Sequence, residues 1–139
     1  MDSTYPHGSD YLSPEDLKAL NHLRDQIVAT TISKGFRDPP KGISYELWQT
    51  ESFKGLRAAI FAANLHGETS ELWEAARKGI LHQPCDKLPE LTNAEEEIAD
   101  IIIRALDLAD FLGVNPARAV ALKARFNASR EHRHGGKLF

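Results

Sequence analysis

The chain has 139 residues, the size of one ordinary domain, and 42% of them are apolar, so it can bury a core and differs from a disordered protein. Its formal charge of −3, from 17 basic and 20 acidic residues, argues against a general nucleic-acid binder. One cysteine, Cys85, excludes an internal disulfide, and no apolar run reaches the roughly 18 residues that a membrane span needs. We therefore expect a soluble, cytoplasmic protein with a single domain over residues 1–139.

Apolar residues recur at spacings of three and four, and no segment alternates apolar and polar residues, so the sequence predicts an all-α fold. Residues 1–12 are rich in Ser, Gly, Pro and Asp, and we expect a flexible arm there. Helix one is predicted to have Ser13 as its N-cap and Pro14 in its first position, and to end near Lys34. A loop is expected over residues 35–42, because two prolines in it break a helix.

Helix two is predicted to start between Ser44 and Ser52 and to run to about Lys78, where Gly79 stops it. A second loop is expected over residues 80–91, which contain two prolines and show no periodicity. The long helix between these loops carries the first group of candidate functional residues.

Helix three is predicted to have Asn93 as its N-cap, with Glu96 placed for a capping box, and to close at Gly113. Asn115 and the proline after it predict the start of helix four, which is expected to run to roughly His132. Four helices with short or medium connections predict a four- to five-helix bundle. Because apolar residues lie on several faces, we expect this bundle to be oligomeric.

Two pairs of acidic residues border apolar stripes on helices two and three. Glu68 and Glu71 share the apolar face of helix two, whereas Glu74 lies about 120° away and is expected to be solvated. Glu97 and Asp100 have the same spacing on helix three. The apolar stripe beside them, expected to lie in the core, consists of Ile98, Ile101, Ile102, Ala105, Leu108, Ala109 and Leu112. If the two helices pack antiparallel, the four carboxylates converge.

Four converging carboxylates repel one another, at a cost of about 3 kcal/mol for each pair at about 5 Å and an effective dielectric of about 20. A hard divalent cation with oxygen ligands would offset this repulsion, so we expect Mg²⁺, with Mn²⁺ able to substitute. Such an ion usually keeps waters and completes its shell with substrate phosphate. An isolated Glu-x-x-Glu on a helix is, in contrast, usually a solvated charged pair.

Helix four carries a polar stripe in which Lys123, Asn127 and Arg130 are spaced by four and three. These residues, with Lys137 of a basic tail over residues 133–139, present donors without a carboxylate and suit phosphate oxygens. An ordinary solvated face is the alternative interpretation.

Lys54 and Arg57 on helix two are further phosphate candidates, and salt bridges to Glu68 or Asp100 are their alternative. Arg104, four residues after Asp100, is expected to pair with it. In each of these interpretations, a positively charged side chain lies beside the predicted acidic pairs.

Trp48 and Phe53 are candidates for stacking on a nucleobase, although core packing is the commoner role of such rings. The histidines and Cys85 show no zinc spacing, and no Glu-x-x-His accompanies the acidic pairs. A phosphate-binding Gly-rich loop ending in Gly-Lys-Ser or Gly-Lys-Thr is also absent from the sequence.

Three sequence features together resemble one known family. They are Gly67-Glu68-Thr69-Ser70-Glu71-Leu72, then Glu95-Glu96-Glu97-Ile98-Ala99-Asp100, then Lys123, Asn127 and Arg130 followed by His134-Gly135-Gly136-Lys137. Over roughly residues 34–137 the chain is similar to the MazG-like, all-α nucleoside triphosphate pyrophosphohydrolases.

The resemblance implies cleavage of a nucleoside triphosphate between its α and β phosphates. It also implies that the four carboxylates bind Mg²⁺, that the stripe on helix four holds phosphates, and that the protein is a homodimer or homotetramer. Of the carboxylates, Glu68 and Glu71 are the catalytic candidates, and Glu71 is the candidate acceptor of the water proton. Many family members have a glutamate where this chain has Gly67, so the base is not assigned by the resemblance.

Other functions remain open at this point. A phosphoribosyl-ATP pyrophosphohydrolase would share the architecture, and a helical interaction module would use the acids only for solubility. A carboxylate-bridged iron oxidase would need histidines that the acidic pairs lack. The preferred base depends on loop contacts, such as those of residues 35–50, whose shape the sequence does not define.

Overall fold

A computed structural model describes residues 12–130, which form five α-helices. The helices are α1 Pro14–Ser33, α2 Tyr45–Trp48, α3 Glu51–Lys78, α4 Asn93–Phe111 and α5 Pro116–Ala128. Within residues 12–130 no strand is formed, so the all-α prediction is confirmed. No helix in this part of the chain is long and apolar enough to cross a membrane. The predicted tail, and all but the last residue of the predicted arm, lie outside the described residues.

The start of α1 agrees with the sequence. Ser13 Oγ accepts a hydrogen bond from the backbone N of Asp16 at 3.1 Å, and the Asp16 carboxylate accepts one from the backbone N of Ser13 at 2.8 Å. The bonds to this carboxylate lower the pKa of Asp16. After the helix, Gly35 adopts a φ of 74°, which favours glycine and turns the chain into the predicted loop.

The predicted helix two is two helices, α2 and α3. Ser44 caps α2 by accepting from the backbone N of Leu47 at 3.2 Å. Thr50 interrupts the helix between α2 and α3, because its backbone is extended and its hydroxyl donates to the Leu47 carbonyl at 2.8 Å. Both starts lie in the predicted interval, and α3 ends at Lys78 before a left-handed Gly79, as predicted.

The predicted cap of α4 is wrong by one residue. Thr92, not Asn93, is the N-cap, and Glu95, not Glu96, completes the capping box. The Glu95 carboxylate accepts from the backbone N of Thr92 at 2.8 Å, and this bond lowers the pKa of Glu95. Asn93 instead donates from its side chain to two carbonyls of the preceding loop.

The last helix, α5, begins as predicted and ends earlier than predicted. Asn115 Oδ1 accepts from the backbone N of Arg118 at 3.0 Å, and a proline follows it. The helix ends at Ala128 because the Ser129 hydroxyl donates to the Phe126 carbonyl at 2.7 Å and the backbone tightens into a turn.

Helices α3 and α4 pack antiparallel. Phe61 stacks on Phe111 with ring centroids 4.8 Å apart, and Glu68 pairs with Arg104 further along. Because the residue numbers rise along α3 while they fall along α4, the two helices run in opposite directions. This is the arrangement on which convergence of the acidic pairs depends.

The chain divides into two compact units. One spans Arg24–Gly113 and contains the second half of α1 together with α2, α3 and α4. Within the described part of the chain, the other comprises residues 12–23 and 114–130, and contains the first half of α1 together with α5. All four predicted metal ligands belong to the first unit.

The apolar stripe of α4 is not the core that the sequence predicts. Ile98, Ile102 and Leu112 are 49%, 46% and 51% exposed. The buried residues of α4 are Glu97, Leu106 and Asp107. The expectation fails for the exposed residues because α4 turns its charged edge towards α3 and leaves much of its apolar stripe uncovered.

Candidate metal centre

Three carboxylates meet between α3 and α4. Glu68 comes from α3, Glu97 and Asp100 come from α4, and one ligand oxygen from each lies within 4.8 Å of the others. Glu97 is buried and the other two are half-buried. The three-residue spacing on α4 places both of its carboxylates on one side, and the antiparallel packing brings Glu68 to them. We call this group the acidic triad.

The electrostatics of the acidic triad favour a bound cation. Burial raises the pKa of Glu97, as do the nearby charges of Glu71, Glu96 and Glu68. Burial and the charge of Glu68 likewise raise the pKa of Asp100. The ionised forms are therefore costly in this position unless a positive charge faces them. Three oxygen donors on two rigid helices fit a hard divalent ion such as Mg²⁺ or Mn²⁺.

Glu71, the fourth predicted ligand, lies outside the acidic triad. Glu71 follows Glu68 by nearly one helical turn and is exposed to solvent. Its charge nevertheless contributes to the raised pKa of Glu97, so the two carboxylates are near each other. Glu71 therefore stands at the solvent-facing rim of the candidate site.

Arg104 is the cation that neutralises part of the acidic triad. Its Nε donates to Oε1 of Glu68 at 2.9 Å, and the Glu68 side chain is only 12% exposed. The expected bond to Asp100 is replaced by this one because antiparallel packing puts Arg104 opposite Glu68. The Arg104 charge still acts to lower the pKa of Asp100, against the larger effect of burial.

A second group of charges comes from the loop between α3 and α4, and the sequence analysis missed it. The buried Cys85 thiol donates to Glu96 Oε2 at 3.0 Å, and Lys87 Nζ lies 3.4 Å from Glu96 Oε1. The Cys85 bond, followed by Lys87, lowers the pKa of Glu96. The bond to Glu96 raises the pKa of Lys87, and the charges of Glu71 and Glu97 add to this effect, so the lysine stands near the rim. Its position depends on the loop conformation, for which the sequence held no signal.

The two basic candidates on α3 lie well before the acidic triad. Lys54 is 3.5 Å from Glu51, and at 1.5 Å per residue it precedes Glu68 by roughly 21 Å along the helix. Arg57 precedes Glu68 by roughly 16 Å on the same measure and donates to Gln49 Oε1 at 2.7 Å. The suggested salt bridges from these two cations to the acidic pairs are thus replaced by local contacts.

The candidates on α5 belong to the other unit of the chain. Lys123 and Arg130 both approach the exposed ring of Phe126, at 4.8 Å and 5.7 Å from its centroid. Asn127 is exposed on the same helix. Lys137 lies outside the described residues.

Of the two stacking candidates, one reaches a cavity. Trp48 is buried, and its Nε1 donates to the carbonyl of Arg37 at 3.2 Å. It lines a cavity of about 300 Å³, whereas Phe53 does not line this cavity and packs against Trp48 with ring centroids 5.8 Å apart. Arg104 lines the same cavity, so the cavity adjoins the acidic triad.

A buried ion pair fixes the loop beside this cavity to α4, and sequence reasoning did not find it. Arg37 Nη2 lies 2.6 Å from Asp107 Oδ1 and 3.0 Å from Asp110 Oδ2. The Asp107 side chain is 5% exposed, and Arg37 is the positive charge that faces it. The pair is separated by 70 residues in the chain, and neither residue belongs to a recognisable motif.

Comparison of the chain with protein-family models, with curated proteins and with solved structures gave no match.

Proposed function

We propose that this protein is a Mg²⁺-dependent nucleoside triphosphate pyrophosphohydrolase, which cleaves between the α and β phosphates and yields a nucleoside monophosphate and pyrophosphate. The observation that supports the proposal is the acidic triad of Glu68, Glu97 and Asp100 between two antiparallel helices. The sequence resemblance to the MazG-like enzymes supplies the reaction class. The metal ligands are the triad, with Glu71 at its rim.

The reaction adds water across the bridging P–O bond. The water oxygen bonds to phosphorus, the bridging oxygen leaves with the other product, and one proton must be accepted. When bound, Mg²⁺ supplies charge for the phosphate oxygens and makes water more acidic. Glu71 accepts the proton in this proposal, because it is exposed to incoming water and lies near the triad.

Cations around the acidic triad bind the phosphate oxygens. Arg104 lies on the inner side, and Lys87 reaches the rim from the loop, with a side chain that is 75% exposed. Both supply donors to the charge that develops on the leaving pyrophosphate. Lys123, Asn127, Arg130 and Lys137 are proposed to add phosphate contacts from a second copy of the chain.

The proposed oligomer is a homodimer or homotetramer. Large apolar side chains are exposed on α4, among them Ile98 and Ile102, and on α5, where Phe126 is 55% exposed. Apolar surface of this kind usually marks a protein interface, and homo-oligomers are the common solution. Light scattering should give a mass of two or four chains, and a monomer at assay concentration would contradict this part of the proposal.

Hydrolysis tests the proposal directly. The purified protein with Mg²⁺, given each common nucleoside triphosphate and deoxynucleoside triphosphate, should release pyrophosphate. A Glu68→Gln/Glu97→Gln double variant should lose this activity by at least about a hundredfold, the usual scale for loss of an electrostatic group. Glu74→Gln is the matched control, since Glu74 faces Arg77 and Lys78 instead of the triad.

Other outcomes separate the alternatives. Orthophosphate without pyrophosphate would refute the bond assignment. Turnover of phosphoribosyl-ATP alone would indicate the histidine-pathway reaction. Calorimetry with Mn²⁺ completes the test, because a helical interaction module would show the same heats, or none, in the wild type and the double variant.

A further inference from the structure

The cavity of about 300 Å³ and the acidic triad lie along one face of α3. Arg57, Phe61 and Asn64 line the cavity, and Glu68 follows Asn64 by one helical turn. Arg104 lies at the boundary between the cavity and the acidic triad, because it lines the cavity and donates to Glu68 at 2.9 Å. A ligand with phosphates at the triad would therefore extend its other end into this cavity.

The walls of the cavity suit a flat ring. Phe61 and Phe111 stack on each other with centroids 4.8 Å apart and planes 15° from parallel. Both line the cavity, as do Phe36, Tyr45 and Trp48. Aromatic side chains stack on any nucleobase and do not distinguish one base from another. Discrimination must come from polar groups in the same walls.

Arg57 is a polar group in these walls that has unused donors, one of them buried. Its guanidinium carbon lies 5.1 Å from the Phe111 centroid and 5.9 Å from the Trp48 centroid, and its Nη1 donates to Gln49 Oε1 at 2.7 Å. Its Nε is buried and has no hydrogen-bond partner among residues 12–130. Gln49 thus holds Nη1, whereas Nε and Nη2 donate no hydrogen bond within residues 12–130. Because Nε is buried, a ligand reaches this edge only after the side chain turns towards the cavity.

We infer that this cavity binds the base of the nucleotide substrate and that Arg57, oriented by Gln49, selects 6-oxopurines such as guanine and hypoxanthine. The inference rests on the proposed function, of which it specifies the substrate class.

The chemistry of the purine edge explains the choice. Guanine and hypoxanthine present O6 and N7 as two adjacent acceptors, which match the two parallel donors of an arginine edge. Adenine presents a donor at N6, which opposes the guanidinium, and pyrimidines lack the adjacent pair. A buried donor without a partner is unfavourable, so a small turn of Arg57 towards the bound base would be favoured.

This role differs from phosphate binding, which the sequence predicted for Arg57. A phosphate contact would affect all nucleotides equally and would be largely kept by lysine, which is also a cation. Recognition of O6 and N7 needs the planar guanidinium, so lysine would not replace it. The two roles can therefore be separated by measuring the ratio of affinities for two bases.

Binding of monophosphates without metal provides the test. The chain has two tryptophans, and Trp73 is 60% exposed on α3 beside Arg77, so a Trp73→Phe parent leaves Trp48 as the reporter. Quenching of Trp48 fluorescence is titrated with GMP, IMP, AMP and UMP in EDTA. GMP and IMP should each bind at least about tenfold more tightly than AMP and UMP, the scale of one bidentate pair. Equal affinities, or tighter binding of AMP or UMP, would overturn the inference.

Two variants of Arg57 complete the experiment. In Arg57→Lys and in Arg57→Gln the ratio of GMP to AMP affinity should fall towards one, with AMP binding little changed. If lysine keeps the ratio, or if glutamine weakens all nucleotides equally, Arg57 does not read the base. Near-ultraviolet circular dichroism checks that each variant is folded. Because the titrations contain no metal and involve no hydrolysis, an inactive protein that binds GMP selectively would refute the proposed reaction and leave base selection standing.

Discussion

Arg104 Nε donates to Glu68 Oε1 over 2.9 Å, so a guanidinium occupies one side of the carboxylate group that we propose as a metal site. The Glu68 side chain is 12% exposed and that of Arg104 is 34% exposed, so solvent screens the pair only in part. A divalent cation that binds Glu68 must compete with this ion pair. In the proposed site Arg104 would therefore oppose metal binding in the free protein and would become available to phosphate once the metal is bound.

Replacing Arg104 should accordingly strengthen metal binding. We expect Arg104→Gln to bind Mn²⁺ about two- to fivefold more tightly, because an ion pair of this exposure contributes up to about 1 kcal/mol. Calorimetry without nucleotide measures this effect. Arg104→Lys, which keeps the charge, is the control and should stay close to the wild type. Weaker Mn²⁺ binding by the glutamine variant would show that Arg104 supports the site before substrate arrives.

The raised pKa of Glu97 predicts how stability depends on pH. Below its ordinary pKa of 4.5, Glu97 is protonated in both the folded and the unfolded chain and has no effect. As the pH rises, the unfolded chain ionises first, so the free energy of unfolding falls until the raised pKa of the folded state is passed. The full penalty remains at neutral pH.

Glu97→Gln should remove that penalty. In EDTA at pH 7.5 we expect this variant to be more stable than the wild type by about 1 kcal/mol, a common gain when strain at a functional site is relieved. At pH 4 the gain should vanish. Urea denaturation at the two pH values measures the difference, with Glu90→Gln in the exposed loop as control. A gain of equal size at both values would mean that ionisation of Glu97 is not its cause.

The buried pair of Arg37 and Asp107 should contribute strongly to stability. Arg37→Met leaves the Asp107 charge buried without its partner, which should lower the free energy of unfolding by about 3 kcal/mol. Arg24→Met is a matched control, since Arg24 pairs with an Asp25 side chain that is 60% exposed, and should cost less than about 1 kcal/mol. Chemical denaturation compares the two, and similar losses would contradict the importance of burial.

The capping box of α4 allows a finer test. Thr92→Ala removes the hydroxyl that accepts from the backbone N of Glu95 at 3.3 Å and should cost about 1 kcal/mol. Thr50 precedes α3 but makes no side-chain capping bond, so Thr50→Ala should cost clearly less. Thermal denaturation of both variants provides the measurement. A larger loss at Thr50 would place the stronger helix start at α3.

The sequence predicted the helices better than the residues that cap them. Some caps depend only on neighbouring residues, whereas others depend on contacts with residues further along the chain. Ser13 and Asn115 act on neighbouring residues, so their caps could be read from the chain. At α4 the sequence predicted Asn93 as the cap, but Thr92 is the cap and the Asn93 side chain contacts the preceding loop instead. The Asn93 side chain donates to carbonyls of Ile80 and Gln83, and no local pattern encodes that contact.

The candidate site likewise has features that the sequence could predict and features that it could not. The convergence of Glu68, Glu97 and Asp100 follows from helical spacing together with one assumption about packing, so it could be predicted. The pairing of Arg104 with Glu68 depends on the register of two helices that are joined by a loop. The placement of Arg57 among aromatic rings depends on where α2 lies, and the sequence did not separate α2 from α3.

The loop that joins α3 to α4 is closed by a backbone hydrogen bond in its second half, and the residues between the two bonded positions are exposed. The backbone N of Cys85 donates to the Leu91 carbonyl at 2.8 Å, whereas residues 86–90 are exposed. Extra residues inserted among 86–90 should therefore be tolerated, and limited proteolysis should cut within this segment. One residue inserted between Thr92 and Glu97 would instead rotate the start of α4 by about 100° and separate the halves of the acidic triad. The number of residues can thus vary in the middle of the connection but not between Thr92 and the acidic triad.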